Sequence, residues 1–244
     1  MASGLMPESF EEPLFDRLTL WLDPEPRDGA WNMALDQALL ELTDSPVLRV
    51  YSWTAPAITI GYAQKLEALK PSLPDWPVTR RWTGGGVVYH GADHTYSVIV
   101  PASSPWAQTR PVESYRQIHG SLAAALVSAG FEGCRLAVAE DVIDKPFCFE
   151  APAVHDIVRG AAKIAGAGQR RSRIGFLHQG SVQQVALDEA FWRKWAVKLS
   201  TDVVEMSDLA DAVASRAREL ATMRYGAESW LHEREDSVTI QHQH

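Results

Sequence analysis

Three consecutive glycines, Gly84 to Gly86, stand between an arginine pair and a histidine in the stretch RRWTGGGVVYH, residues Arg80 to His90. A glycine run costs backbone entropy, so it is kept where the chain needs unusual dihedrals or where another group must lie against bare backbone. The cations beside it favour the second need. Loop amides together with Arg80, Arg81 and His90 would converge on an anion or a carbonyl-bearing ligand, with Thr83 at the loop's entrance. An apolar strand pattern follows the loop, not a helical one, which tells against a nucleotide phosphate loop and a dinucleotide fingerprint.

A second stretch, KPFCFEAPAVHDIVRGAAKIAGAGQRRSR, runs from Lys145 to Arg173. Cys148 lies between two phenylalanines in a segment broken by Pro146 and Pro152, hence on a loop, where a thiol is either a nucleophile or a small hydrophobe. Lys163 sits among small residues in AKIAGAG. Its neighbours leave room for a ligand to pack beside the stem and meet the ammonium, although a strand lysine facing solvent reads the same way. The other cysteine, Cys134 in FEGCRLAV, has the setting of a strand entering the core. No paired His or Cys ligands stand at zinc spacing, so no metal site is expected.

Elements must hold these residues in place. Period-two alternation predicts strands at RLTLWLD, LRVYSW, AITIG, PVTRRW, GVVYH and TYSVIVP. Asp28 caps a helix over GAWNMALDQALLELT, in which Trp31, Ala34, Leu35, Ala38, Leu39 and Leu42 share one face. A further helix, VESYRQIHGSLAAALVSAG, stops at Gly130. Short strands broken by glycines are expected at HDIVRG, AKIAG and RIGFLHQGSVQQV, then late helices at LDEAFWRKWAVKL and LADAVASRARELATMR. Strands followed by helices give an α+β domain around mixed sheets, not a regular βαβ alternation.

At 244 residues with 46% hydrophobic content, the chain suits one domain: a flexible arm over 1–14, then a single unit over 15–244 with a helical segment from about 187. The acidic start has no signal-peptide pattern and no run is long enough to span a membrane, so a cytoplasmic location is expected. A net charge of -8 argues against nucleic acid as a partner.

Taken together, NMALDQALLE, LRVYSWTAPAITIGYAQ, RRWTGGGVVYH, DIVRGAAKIAGAGQRR and FLHQGSV resemble, in order, the lipoate and octanoate transferase branch of the biotin/lipoate protein ligase family. The resemblance implies a biotin/lipoate protein ligase-like fold, related to class II aminoacyl-tRNA synthetases. GYAQ, TYSV and CFEAP are similar to the cysteine-dependent octanoyltransferases. That implies Cys148 as acyl-thioester nucleophile and Lys163 as the group that lowers the thiol pKa and meets the acyl carbonyl. Substrate binding would fall to Arg81, Thr83, Gly84, Gly85, Gly86, His90, Gly166 and Gly168, and a basic patch of Arg80, Arg170, Arg171 and Arg173 would steer partners.

The donor implied is octanoyl-acyl carrier protein and the acceptor a lipoyl-domain protein, either the glycine cleavage H protein or a 2-oxoacid dehydrogenase E2, with no cofactor. Gly86, where those transferases tend to have arginine, and the VVYH that follows are the more ligase-like form. A lipoate-protein ligase would need ATP and Mg, and a non-catalytic lipoate-binding domain is the third reading.

Overall fold

The computed structural model describes residues 12–142, 151–236 and 238. Strand β1 (Leu18–Leu22) leads into helix α1 (Gly29–Leu42), started by the Asp28 carboxylate, which accepts from the Trp31 N–H at 2.9 Å. Then come β2 (Val47–Tyr51), β3 (Ala57–Ile60), the single turn α2 (Leu66–Leu69), β4 (Val78–Arg80), β5 (Val88–His90) and β6 (His94–Pro101). Helix α3 (Pro111–Ser128) ends before Gly130, whose φ of +93° turns the chain into β7 (Cys134–Leu136). After it come β8 (Ile157–Arg159), β9 (Ala162–Ser172), β10 (Gly175–Val182), α4 (Glu189–Leu199), β11 (Val203–Glu205), α5 (Asp211–Leu220) and α6 (Glu228–Glu233).

Eight strands form one mixed sheet in the order β11-β1-β2-β6-β10-β9-β8-β7, and a small sheet runs β4-β3-β5. Parallel pairs join β1 to β2 and β11, and β3 to β4; all the other pairings are antiparallel. Helices α3 and α4 pack over one apolar core with Phe15, Leu48, Val98 and Phe176, while α1 and α5 share another with Trp21, Ile99 and Leu177. Neighbours along β6 and β10 thus feed opposite cores, as a doubly covered sheet requires. Leu14, at the end of the expected arm, donates its N–H to Leu199 O at 2.9 Å.

Two expectations change. Helix α1 is not buried on one face alone, because it lies between the large sheet, β3, β4 and α5: Asn32, Asp36, Gln37 and Glu41 are enclosed too. Such groups are tolerated only when paired. Arg49, fully buried, reaches Asp23 and Asp36 at 2.8 Å each, and Arg216 meets Glu41 at 2.7 Å. Likewise, glycines do not break the chain at AKIAG: β9 continues through Gly166 and Gly168 as an 11-residue strand. What those glycines supply is space above the sheet.

Candidate functional site

That space is a cavity between the large sheet and the small one, lined by Arg81, Gly86, His90, Lys163, Gly166 and Gly168 among others. Each glycine meets a different requirement. Gly85 has a φ of +96°, and its carbonyl lies where a side chain on Gly61 would begin. Gly168 is crossed by the Gly84 carbonyl, so any larger residue on β9 would push the loop away. Side chains built on Gly84 or Gly86 would meet open space. Unusual dihedrals and close backbone approach therefore both apply, within three residues.

The loop is tied down on two sides. Thr83 Oγ1 donates to Gln179 Oε1 at 2.7 Å, and Gln179 Nε2 donates to Asp36 Oδ2 at 2.7 Å, which links the loop to the central helix. Arg81 donates from Nη2 to the carbonyls of Gly84 and Gly86 at 3.0 and 2.9 Å, and from Nη1 to Thr59 Oγ1 at 2.7 Å. Burial lowers its pKa to about 10, which still leaves a cation at neutral pH. Two of the loop's carbonyls, then, face the arginine, and the third, that of Gly85, faces Gly61.

His90 is held by the same chain of bonds. Asp93 Oδ2 can only accept, so His90 Nδ1–H donates to it at 2.8 Å; Nε2 of the neutral ring is then an acceptor, and the Thr59 hydroxyl, which accepts from Arg81, donates to it at 2.8 Å. Trp53 stacks on the ring at 4.0 Å. Burial lowers the His90 pKa; Asp93 opposes this, and Arg81 adds to it. For Asp93, burial pulls upward, but bonds from His90, Ser181 and the Gly91 N–H outweigh it and hold the carboxyl below its ordinary value. Both ring nitrogens of the neutral imidazole are thus occupied, by Thr59 and by Asp93.

Across the cavity, Lys163 Nζ lies 2.9 Å from Asp156 Oδ2, its side chain only 10% exposed. The Lys163 stem crosses Gly166, and β9 reaches this point through an irregularity in its pairing with β8 at Ile157 and Val158. Asp156 also accepts from Ala153 N–H at 2.7 Å and from the Tyr115 hydroxyl at 2.5 Å. Tyr115 accepts in turn from Ala167 N–H at 2.9 Å. Burial and then Asp156 keep this phenol well above its ordinary pKa, so it stays a donor.

The structure thus brings Arg81, Thr83, the three glycines, His90, Lys163, Gly166 and Gly168 to one place. Cys148 lies outside the described residues. The expected basic patch is corrected by burial: Arg80, 1% exposed, gives its guanidinium to the carbonyls of Trp230, Leu231, Gly61, Tyr62 and Gln64. Arg170 is half-buried over Tyr62 and Trp82. Arg171 is also half-buried and donates to Ser114 and Ala107 O, while Arg173 is exposed. With Arg110, these last two line a second cavity at the start of α3.

Sequence reading missed Asp156, Tyr115, Thr59, Asp93 and Gln179. Only Asp93, three residues after His90, had a local cue; Thr59 meets His90 across strands, Gln179 joins the loop to α1, and Tyr115 reaches Asp156 from α3. Cys134 is buried in the core beneath α3, and burial raises its thiol pKa, as its structural reading expects. Among the described residues, no cluster of His, Cys, Asp and Glu could hold a metal, and no helix is long and apolar enough to cross a membrane.

Residues 28–217 match the family model for the lipoyl protein ligase A/B catalytic domain. Octanoyltransferase LipM of Staphylococcus aureus is 34% identical over 181 residues, 68% of this chain and 66% of its own. The chain thus spans about two thirds of the length of the curated relatives it matches. Among solved structures, a lipoate-protein ligase A bound with ATP superposes with a TM-score of 0.68 at 21% identity, over 88% of this chain and 98% of that one. A bi-partite lipoate protein ligase from Thermoplasma acidophilum, studied with its E2 lipoyl domain, gives 0.65 at 19% identity, over 91% and 99%. The α+β architecture with mixed sheets is that of the lipoate ligases, as the sequence motifs lead one to expect.

Proposed function

This chain belongs to the lipoyl protein ligase A/B catalytic domain family, and from that premise we propose that it is an octanoyltransferase acting in protein lipoylation. The donor is octanoyl-acyl carrier protein and the acceptor a lysine of a lipoyl-domain protein, the glycine cleavage H protein or a 2-oxoacid dehydrogenase E2. The observation that carries the reading is Lys163: an ammonium held at a glycine-lined cavity, in a chain whose relatives are named octanoyltransferases.

The chemistry needs no nucleotide, since an octanoyl thioester is already activated. Cys148 thiolate attacks the thioester carbon, a new C–S bond forms, and the carrier's thiolate leaves and takes up a proton. The acceptor lysine, after losing its ammonium proton to solvent, attacks acyl-Cys148; the C–S bond breaks as the amide forms, and the second nitrogen proton passes to the departing cysteine thiolate or to solvent. A free thiol with a pKa of about 8.5 is only a few per cent ionised at neutral pH, so a nearby cation raises the reactive fraction. Lys163 is that cation, and it donates to the acyl oxygen as negative charge develops there.

Met33, Tyr51 and Val88 supply apolar wall to the cavity. Six methylenes buried at ~0.8 kcal/mol each give about 5 kcal/mol, enough to anchor an octanoyl chain without polar contacts. Arg171 and Arg173, beside Arg110, supply the local positive charge that draws an acidic carrier to a chain of net charge -8.

Intact-mass measurement after mixing with octanoyl-acyl carrier protein tests the reading. A gain of one octanoyl group is expected, lost in Cys148→Ala and retained as an ester or absent in Cys148→Ser. Acyl-adenylate formation from free lipoate and ATP, with Cys148→Ala fully active, would instead make the protein a ligase. Binding of lipoate with no turnover in either assay would make it a binding domain.

A further inference from the structure

The lysine at the cavity does not stand there by its own packing. Its ammonium meets Asp156 Oδ2 at 2.9 Å, and that carboxylate is 2% exposed, so its orientation is set by its other bonds. Oδ2 also accepts from Ala153 N–H at 2.7 Å, and Oδ1 takes the Tyr115 hydroxyl proton. Tyr115 projects from α3, is fixed by Ala167 N–H of β9 at 2.9 Å, and packs between the rings of His119 and His178 at 4.3 and 5.3 Å. One hydroxyl thus joins the helix, the strand that carries Lys163, and the carboxylate that holds it.

We propose that Asp156, oriented by Tyr115, is the positioning residue that sets where the Lys163 ammonium stands in the cavity. The inference rests on the reading of Lys163 as the group that meets the acyl carbonyl. A lysine stem has four rotatable bonds, and without a fixed partner its charge would spread over several ångströms. A transition state responds to a displacement of about 1 Å with rate losses near a hundredfold, whereas ground-state binding of an acyl chain to an apolar wall is indifferent to it. Around this pair, His119 lies on the Tyr115 side, and Arg81 and His90, the latter bonded to Asp93, line the cavity opposite. Asp156 Oδ2 touches the ammonium directly at 2.9 Å, and the carboxylate is itself held by two further donors, so it fixes the cation's place by contact.

The test uses two variants and two measurements on the full chain. In octanoyl transfer from carrier protein to a lipoyl domain, Asp156→Asn is expected to lower kcat per folded molecule about 30- to 100-fold with KM for either protein unchanged within about twofold. Tyr115→Phe, which keeps the ring packing, is expected to lower kcat about three- to tenfold in the same pattern. A purely structural role would reduce the folded fraction alone, leaving kcat per folded molecule unaltered.

The second measurement does not depend on transfer activity. Competitive acetylation by acetic anhydride, read by peptide mass, is expected to show Lys163 about tenfold more reactive relative to exposed Lys194 in folded Asp156→Asn than in the native chain. If Lys163 labelling is the same in both, the inference is overturned whatever the reaction proves to be. If labelling changes as expected and the native chain transfers no octanoyl group, the positioning stands and the assigned reaction falls.

Discussion

Lys163 occupies the space that a side chain on Gly166 would fill: an added methyl would lie 2.5 Å from its Cε and 2.7 Å from Nζ. The atoms in the way are the end of a flexible chain, not backbone, so Gly166→Ala can fold by moving the lysine. Thermal unfolding is expected to shift by no more than about 3 °C. Transfer is a different matter: with Lys163 in the proposed role of meeting the acyl oxygen, its displacement should lower kcat about 10- to 100-fold. Melting curves and steady-state kinetics on the same preparation check both halves.

The glycine run gives a contrast within three residues. Gly85 holds a φ of +96°, and its carbonyl is clamped against Gly61, so Gly85→Ala should cost about 1–2 kcal/mol in urea unfolding. Gly86 is not among the positive-φ glycines and has nothing within 4 Å of a built Cβ, so Gly86→Ala should change stability by less than about 0.5 kcal/mol. A methyl there enters the cavity, and its effect belongs on KM for the octanoyl donor. Equal stability losses in the two variants would contradict this division.

Local signals account for what could be read in advance. Period-two runs located β1 through β6, the Asp28 cap located α1, and Gly130 marked the end of α3, because each is decided by dihedrals and burial within a few residues. Ordered motifs also assembled the cavity lining before any geometry was known. What they could not supply was which charges are buried. Arg80 and Arg81 are adjacent on the chain and both expected to face a ligand or partner, yet one holds the carbonyls around Trp230 and the other the glycine loop. Nothing in the sequence singles out Asp156, whose three donors come from α3, the preceding turn and β9. Long-range pairing of polar groups leaves no periodicity in a sequence.

For Arg80 the consequence is a stability effect in place of a partner effect. Its guanidinium reaches five backbone carbonyls on the turn after β3 and on α6, and Trp230 Nε1 returns a bond to its carbonyl at 3.0 Å. Arg80→Ala leaves these buried acceptors unsatisfied and should cost roughly 3 kcal/mol. Arg80→Lys should recover little, because one ammonium cannot span both segments. The salt dependence of carrier association should be unchanged in Arg80→Lys and reduced in Arg173→Ala, measured by titration calorimetry at two ionic strengths.

Acid stability should report on two buried histidines in contact, His119 of α3 and His178 of β10. Burial drops the His119 pKa to about 4, and burial with the neighbouring His119 drops His178 well below its ordinary value. His119 donates from Nδ1 to His155 O at 2.7 Å, while among the described residues its buried Nε2 has no hydrogen-bond partner to take a second proton. The folded state therefore keeps the ring neutral where the unfolded chain, titrating near 6.5, takes up a proton. The unfolded state binds more protons in that window, so stability is fully present above about pH 6.5 and declines as pH falls toward 4. For His119 alone the loss is on the order of 3 kcal/mol. His119→Asn, whose amide replaces the Nδ1–H donation, should carry a constant packing penalty but a shallower acid limb. Urea midpoints of the two proteins between pH 7 and 4 should therefore converge, and parallel curves would mean that this imidazole takes up its proton without unfolding.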